Sequence, residues 1–377
     1  MSNVRPELIR ELQTALERLP RVPLTFTPTP LQHCPRLTEA LQGPEIWIKR
    51  DDLTEMALSG NKSRMLEYVL GEAKAAGVDA VVAGAAVQSN YTRQLAAACA
   101  RLGIACHLVL QGVRGSEDRE VQGNLLLDLL LGAEIELLDA SGWEALRQAI
   151  CSKAEELTRM GRNVRTYRVA GESTLGLHAC GYVQAAIEIV EQARARNVAF
   201  DEIWVCSSDT THAGLAIALK HMQIPVRIVG VPALPEPVAP GRSFEDCIAR
   251  IGNDCAEILQ LRTRLDPCEI ISLPGYCGPK YGVLTDSARE AIRMLARLEA
   301  ILADPVYTGK ALGALIDHIR RGLIPHDRTV CFVHTGGFPA LFAYAESLGL
   351  EAPPRNSCRR NVLSRPQQMC GKRDDQR

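Results

Sequence analysis

Residues 79–110, DAVVAGAAVQSNYTRQLAAACARLGIACHLVL, decide the fold class of this chain. They contain an apolar run at 79–83, an amphipathic stretch of helical period at 90–102 and a second apolar run at 105–110. Short apolar runs without alternation are typical of strands buried on both faces of a sheet, and strands joined through a helix favour parallel pairing. The stretch therefore predicts a strand–helix–strand unit of an α/β protein.

The same alternation continues on both sides of this unit. Further strands are predicted at 45–49, 134–138, 165–169, 202–206, 226–231 and 329–334, and further helices at 5–19, 120–131, 142–160, 177–197, 211–222, 243–260, 285–302, 309–321 and 337–347. This series, in 377 residues, predicts two doubly wound parallel-sheet domains with a ligand cleft between them. We expect a large domain from 1–64 and 173–352 and a small domain from 65–172. The basic segment 353–377 has no periodicity and is predicted to be disordered.

Charge and hydropathy argue against two classes of partner. The formal net charge is −1, so the chain has no overall field that would attract nucleic acid or an anionic membrane surface. No apolar run reaches the length of a transmembrane helix, and the first residues, MSNVRPELIRELQ, contain no signal-peptide core. We therefore expect a cytoplasmic protein without nucleic-acid or membrane partners.

The cysteines do not predict a metal site. There are 13 of them, an odd number, scattered through apolar segments, without a Cys-x-x-Cys pair or a His/Cys cluster of zinc-ligand spacing. They are typical of reduced, buried thiols that act as small apolar residues.

One lysine in a polar turn is the first candidate for chemistry. Residues 59–64, SGNKSR, place Lys62 directly after a glycine turn and at the predicted start of a helix. The positive field at a helix N-terminus favours the neutral amine, which is the form that reacts with an aldehyde. An arbitrary lysine is more often a solvated surface residue, so this interpretation depends on the rest of the chain.

Several other turns next to predicted helices are also polar. They comprise residues 89–90, 171–174, 207–211, 307–310 and 334–337. Each could be ordinary helix capping, but ligands of α/β sheets bind where strands turn into helices. The 207–211 turn, SSDTT, combines hydroxyl groups with a helix N-terminus and predicts an anion site. A phosphate site together with a reactive lysine indicates pyridoxal 5'-phosphate as the cofactor.

Four long segments carry a resemblance to a known family. They are KRDDLTEMALSGNKSRMLE (49–67), AVQSNYTRQLAAACARLG (86–103), GPKYGVLTDSAREAIRMLARLEAILADPVYTGKALGALID (278–317) and HTGGFPALFAY (334–344). The chain resembles the D-cysteine desulfhydrase and 1-aminocyclopropane-1-carboxylate (ACC) deaminase family, which belongs to the fold type II, tryptophan-synthase-β-like pyridoxal phosphate enzymes. The resemblance extends over most of the chain and implies a lyase that acts on a small amino acid, commonly as a homodimer.

The resemblance also implies roles for individual residues. Lys62 matches the lysine that carries the cofactor, with Asn61 beside it as a cofactor-binding residue. Asn90 matches the asparagine that binds the ring hydroxyl oxygen, and Ser89 the serine near the substrate. The remaining assignments are Tyr281 and Tyr307 as active-site tyrosines and Thr335 as the group facing the pyridine nitrogen. The phosphate ligands predicted from the 207–211 turn itself are Ser207, Ser208, Thr210 and Thr211. For the two tyrosines, the alternative is a core position with a satisfied hydroxyl group.

The residues near the ring favour one activity within the family. Deaminases of this type carry a glutamate after the second tyrosine, where this chain has Thr308. Thr308 and Thr335 are neutral, and a neutral partner of the ring nitrogen gives a weaker electron sink. Such a sink is adequate for α,β-elimination, so D-cysteine is the expected substrate. ACC, cysteate and another β-substituted amino acid remain alternatives.

Two departures from the family pattern bear on activity. Asp209 stands in a phosphate loop that is usually rich in glycine and serine, where it would repel a phosphate unless it turns to solvent. Glu172 stands in a stretch that is usually Gly-Gly-Ser-Asn, where it could repel a substrate carboxylate. They support a further alternative, a catalytically weakened relative with a binding or regulatory role.

Overall fold

The computed structural model describes residues 5–114, 116–139, 142–168 and 172–350. Its strands are β1 (Leu31–His33), β2 (Glu45–Lys49), β3 (Ala80–Ala86), β4 (Ala105–Gln111), β5 (Glu134–Leu138), β6 (Val164–Arg168), β7 (Glu202–Val205), β8 (Arg227–Gly230), β9 (Ile271–Ser272) and β10 (Thr329–Val333). Its α-helices are α1 (Pro6–Glu17), α2 (Pro35–Leu41), α3 (Lys62–Ala75), α4 (Asn90–Leu102), α5 (Gly123–Leu130), α6 (Trp143–Arg159), α7 (Leu175–Ala195), α8 (Thr210–His221), α9 (Phe244–Ile258), α10 (Asp286–Glu299) and α11 (Thr308–Arg320).

The strands form two sheets. The six-stranded sheet has the order β1-β2-β10-β7-β8-β9, and the four-stranded sheet has the order β5-β4-β3-β6. All strand pairs are parallel except β1 with β2, which is antiparallel. The parallel pairs confirm the predicted α/β class. The predicted domain boundaries remain predictions, and the segment 353–377 lies outside the described residues.

Each sheet is covered by helices on both faces, as a doubly wound fold requires. Helices α1, α7, α8 and α9 pack on one face of the larger sheet, and α2, α10 and α11 on the other. On the smaller sheet, α3 and α4 cover one face and α6 the other. The apolar residues of the central strands are consequently buried on both sides, as Val81 and Val82 show at adjacent positions of β3.

A buried ionic cluster joins the start of α3 to α7. Arg64 donates to both carboxylates of the cluster, at 2.9 Å to Asp51 and 2.8 Å to Glu188. Lys49 donates to Glu188 at 2.8 Å, and the Tyr182 hydroxyl donates to Asp51 at 2.8 Å. The cluster holds the first turn of α3 in place, two residues after Lys62.

Two sequence predictions differ from the structure. Residues 337–347 were expected to form an α-helix, but Phe338–Tyr344 form a 3₁₀-helix. Gly336 and Gly337 have φ angles of +88° and +100°, and Pro339 follows directly, so the chain enters this segment without a helical first turn. Strands β1 and β9 and helix α2 were not predicted, because each of them is only two to seven residues long.

Candidate active site

A cleft at the carboxyl ends of the parallel strands collects most of the predicted residues. It is lined by Asn61, Lys62, Ser89, Asn90, Ser207, Ser208, Thr211, Tyr281, Tyr307 and Thr335. Most of these residues follow β3, β7 or β10 or lie at the start of α3 or α11, and Tyr281 lies in the loop before α10. Both sheets therefore contribute to one site. Thr210 is not among the lining residues, since its hydroxyl group donates to Met65 Sδ at 3.5 Å and to Asp209 at 3.1 Å.

Lys62 is the first residue of α3, as the sequence predicts. The turn before it is fastened on two sides, because the Asn61 amide N–H donates to the Thr335 carbonyl and Asn61 Nδ2 donates to Thr211 Oγ1, both at 3.0 Å. The turn also approaches the loop after β10 very closely. A Cβ atom on Gly336 would lie 2.7 Å from the Gly60 Cα atom, so only glycine fits there.

The Lys62 amine lies in an environment that favours its neutral form. Burial is the main cause that lowers its pKa, Asp209 opposes the shift, Arg168 adds to it, and the pKa reaches about 8. The sequence had assigned this effect to the helix N-terminus, whereas removal from water contributes most. An amine with this pKa is partly neutral at physiological pH and can act as a nucleophile or a base.

Ser89 and Asn90 begin α4 and are held by several hydrogen bonds. Ser89 Oγ accepts from the N–H groups of Tyr91 and Thr92, at 3.1 and 3.4 Å, so the capping interpretation is correct for this residue. Asn90 Oδ1 accepts from Asn124 Nδ2 at 3.1 Å, which fixes the orientation of the amide. A Cβ atom on Gly337 would lie 2.9 Å from Asn90 Nδ2, so the loop after β10 packs directly against this side chain.

Tyr281 and Tyr307 form a hydroxyl pair in the cleft. Their Oη atoms are 2.5 Å apart, and the rings meet edge to face with centroids 5.9 Å apart. Burial is the main cause that raises the pKa of both hydroxyl groups. Both tyrosines therefore stay protonated at neutral pH, and their hydroxyl groups can donate hydrogen bonds.

The sequence prediction missed an arginine in the cleft. Arg168 ends β6 with φ +61°, an uncommon value for a residue other than glycine, and its Nη2 donates to Asp209 Oδ2 at 2.5 Å. The guanidinium group also lies 5.3 Å from the ring centroid of Tyr91. No role was predicted for Arg168, because the residue falls inside the predicted strand 165–169.

A phosphate beside Asp209 was expected to require that this side chain turn to solvent. In the structure the side chain instead points into the cleft. Its Oδ1 atom accepts from the Thr210 N–H at 2.6 Å, and its Oδ2 atom pairs with Arg168. Burial alone would raise the pKa of Asp209, but Arg168 and Lys62 hold it well below its usual value. Asp209 is therefore ionised and neutralised within the cleft. The Glu172 side chain lies outside the described part of the chain, so its predicted effect is untested.

The cleft has further walls that the sequence did not predict. Residues 233–239 of the proline-rich loop after β8 contribute Ala233, Leu234, Pro237, Val238 and Ala239, and Trp143 contributes from the start of α6. These apolar groups cover one side of the polar floor. They restrict the room for a ligand that reaches Lys62.

The geometry agrees with comparison to known proteins. Residues 22–336 match the family described as "Pyridoxal-phosphate dependent enzyme". The chain belongs to this family.

Three solved structures are similar to this chain, and the first of them supports the family assignment. One described as an ACC deaminase homologue is 34% identical, with a TM-score of 0.79, covering 90% of this chain and 98% of its own. A threonine deaminase from T.th. is 20% identical, with a TM-score of 0.59, covering 87% and 97%. Escherichia coli diaminopropionate ammonia lyase is 17% identical, with a TM-score of 0.61, covering 92% of each chain. The last two show the shared fold alone.

The described residues fit the family's cofactor. Lys62 would carry it, and the N-terminus of α8 with the hydroxyl groups of Ser207, Ser208 and Thr211 offers donors of the kind that a phosphate needs. The Asp209 carboxylate already behaves as an anion at this helix N-terminus, which shows that the position accepts negative charge. Among the described residues, no group of His, Cys, Asp and Glu could hold a metal ion, and no described helix is long and apolar enough to span a membrane.

Proposed function

We propose that the protein is a pyridoxal-phosphate-dependent lyase that removes the β-substituent of a small amino acid, with D-cysteine as the leading substrate. The observation that carries this proposal is the placement of the Lys62 amine in one cleft with the paired hydroxyl groups of Tyr281 and Tyr307. Elimination from the β-carbon needs a base at the α-carbon and an acid at the leaving group. The cleft offers both.

Lys62 and the Tyr281–Tyr307 pair take different steps of the reaction. When bound, the cofactor withdraws electrons from the α-carbon of an amino acid and makes its α-proton acidic. Lys62 Nζ takes the α-proton, and the carbon–sulfur bond of cysteine then breaks. A proton from the Tyr281–Tyr307 pair accompanies the departing sulfur. Lys62 Nζ returns the α-proton to the β-carbon of the remaining enamine, and water then releases pyruvate and ammonia. Apolar walls such as Leu234 and Val238 limit the access of water to the base.

The lack of an unpaired carboxylate among the described lining residues favours elimination over ring opening. Thr308 Oγ1 donates to Asp304 Oδ1 at 2.7 Å, is buried, and is not a lining residue. Asp304 in turn accepts the N–H groups of Val306, Tyr307 and Thr308 as a helix cap. Among the described lining residues, Asp209 is the one carboxylate, and it is paired with Arg168. This supports a weak electron sink, suited to a good leaving group such as sulfide.

Incubation of the cofactor-loaded protein with D-cysteine, L-cysteine, cysteate and ACC tests the substrate. We expect sulfide and pyruvate in equal amounts from D-cysteine, at a rate at least about 10-fold above that with the other three, as one missing specific hydrogen bond would produce. The measurements are colorimetric sulfide and sulfite assays and a dehydrogenase-coupled assay of the 2-oxo acid. Formation of 2-oxobutyrate from ACC, or of sulfite from cysteate, at a higher rate would replace D-cysteine as the substrate. No product from any of the four would contradict the proposed function and support a non-catalytic relative.

Substitution of the tyrosines tests their role as acid. We expect Tyr281→Phe and Tyr307→Phe each to lower kcat with D-cysteine by about 10²-fold, since they remove a donor of general acid catalysis. With β-chloroalanine the same variants should lose much less, because chloride leaves without a proton. Tyr276→Phe is the matched control, since Tyr276 donates to Asp317 at 2.5 Å and does not line the cleft. Equal losses with both substrates would show that the pair binds or positions the substrate instead.

The chain is also proposed to be a cytoplasmic homodimer. The resemblance supports the dimeric state, and light scattering of the purified protein would measure its molar mass and test that state.

A further inference from the structure

The Arg168–Asp209 ion pair is the feature of the cleft that the proposed reaction does not use. It connects the two sheets, because Arg168 ends β6 of the smaller sheet and Asp209 precedes α8, which follows β7 of the larger sheet. Both residues line the same cleft as Lys62, and about a fifth of the Arg168 side chain and a quarter of the Asp209 side chain are exposed. The pair is thus accessible to a ligand that enters the cleft.

The contacts of Asp209 are of the kind that a phosphate makes. One carboxylate oxygen accepts from a backbone N–H at the N-terminus of α8, and the other accepts from a guanidinium group. Helix N-termini and arginine forks are both well suited to binding phosphate. A carboxylate that takes both occupies the anion site with a group of the protein itself.

Arg168 is arranged as a ligand for an anion rather than as a surface charge. Its backbone has φ +61°, and its guanidinium plane lies near the Tyr91 ring, which restricts the side chain to one direction. Its Nη1 atom is buried and has no hydrogen-bond partner among the described residues. A buried donor without an acceptor is unfavourable, so the pair with Asp209 alone does not satisfy this arginine.

We propose that the Asp209 carboxylate stands in for the cofactor phosphate, and that the bound phosphate displaces it and takes Arg168 as a ligand. A phosphate has more acceptor oxygens than a carboxylate, so it can use the Thr210 N–H and both terminal nitrogens of Arg168. Asp209 then competes with the cofactor for Arg168, and the strength of this competition sets the cofactor affinity. The proposal depends on the cofactor of the family and not on the substrate proposed above.

Binding of pyridoxal phosphate and of pyridoxal, which lacks the phosphate, to the cofactor-free protein tests the proposal. Titration followed by visible absorbance gives both dissociation constants. Both ligands react with the Lys62 amine, so the ratio of the two constants reports only the contribution of the phosphate group. We expect Arg168→Gln to weaken the binding of pyridoxal phosphate by about 10- to 100-fold relative to the binding of pyridoxal. This is the range that the loss of one charged hydrogen bond produces. Asp209→Asn keeps a side chain that can cap the helix but removes the competing charge. This variant should bind pyridoxal phosphate about 10-fold more tightly relative to pyridoxal.

Two further variants keep the test decisive. Arg168→Gln leaves Asp209 without its cation and could therefore fail to fold. In that case the double variant Arg168→Gln/Asp209→Asn, which removes both charges, replaces it in the test. It should bind pyridoxal phosphate about 10- to 100-fold more weakly than Asp209→Asn does. Arg165→Gln is the matched control on the same strand, because Arg165 pairs with Glu72 at 2.9 Å outside the cleft, and it should change neither constant.

Several results would overturn the proposal. An unchanged ratio in Arg168→Gln and in the double variant would show that Arg168 does not bind the phosphate. Weaker binding of pyridoxal phosphate by Asp209→Asn would show that Asp209 supports the phosphate site instead of competing for it. If the wild-type protein bound no pyridoxal phosphate, the cofactor assignment would fail and the proposal with it. A protein that binds the cofactor as expected but does not consume D-cysteine would contradict only the proposed function.

Discussion

Replacement of Lys62 by alanine is expected to remove the covalent attachment of the cofactor and to lower turnover by about 10⁴-fold. One amine supplies both the nucleophile that carries the cofactor and the base that takes the α-proton, and a general base alone contributes about 10²- to 10⁴-fold. The structure supports this dual role, because Lys62 lines the cleft and burial lowers its pKa to about 8. We expect borohydride reduction of the wild-type protein to leave the pyridoxyl mass on Lys62, as mass spectrometry of its peptides would show.

Two controls separate the base from the attachment site. Lys62→Arg keeps a positive charge but should fail to bind the cofactor covalently, since the guanidinium group stays protonated. Small primary amines added to Lys62→Ala should restore part of the turnover, because they can replace the missing base. A pyridoxyl label on another lysine, or full activity of Lys62→Ala, would refute the assignment.

Replacement of Glu188 by alanine is expected to lower the free energy of unfolding by about 3–5 kcal/mol, the cost of leaving a buried charge unpaired. Glu188 accepts from Arg64 and from Lys49, both of which are fully buried. Without it, the two cations share Asp51 as their one carboxylate partner within the described cluster. Since Arg64 anchors the first turn of α3, the position of Lys62 should become less defined as well.

Urea unfolding followed by circular dichroism measures this effect by linear extrapolation. Glu191→Ala is the matched control on the same helix, because Glu191 is exposed and accepts only from Gln13 among the contacts described, at 3.3 Å. Its stability should change by less than about 0.5 kcal/mol. A loss in Glu188→Ala as small as that of the control would show that the ionic cluster does not stabilise the fold.

Long periodic elements were predicted well from the sequence. Helix α4 spans Asn90–Leu102 and strand β2 spans Glu45–Lys49, as predicted, and most other elements differ at their ends by one to three residues. These elements succeed because a buried strand or an amphipathic helix carries its period in its own residues. The 3₁₀-helix Phe338–Tyr344 was predicted wrongly, since two glycines in left-handed conformations decide the geometry there.

The candidate site was predicted unevenly for a related reason. Residues at polar turns, such as Lys62 and Asn90, could be found because the chain shows where strands become helices. No role could be assigned to Arg168 from the sequence, since its role depends on its ion pair with Asp209. Asp209 lies 41 residues further along the chain and follows a strand of the other sheet. The low pKa of Lys62 likewise results from burial by neighbours that are distant in sequence.

The sequence by itself determined that this is an α/β protein, and it predicted a reactive lysine at a helix start and a hydroxyl-rich turn suited to a phosphate. Local period, turn residues and long motifs carry this information, and none of it needs a contact between distant residues. Only the tertiary structure decided that Asp209 is neutralised by Arg168 and that Tyr281 and Tyr307 share a hydrogen bond. The physical reason is that charge pairing, burial and proton sharing depend on distances of a few ångströms between groups that the chain order keeps far apart.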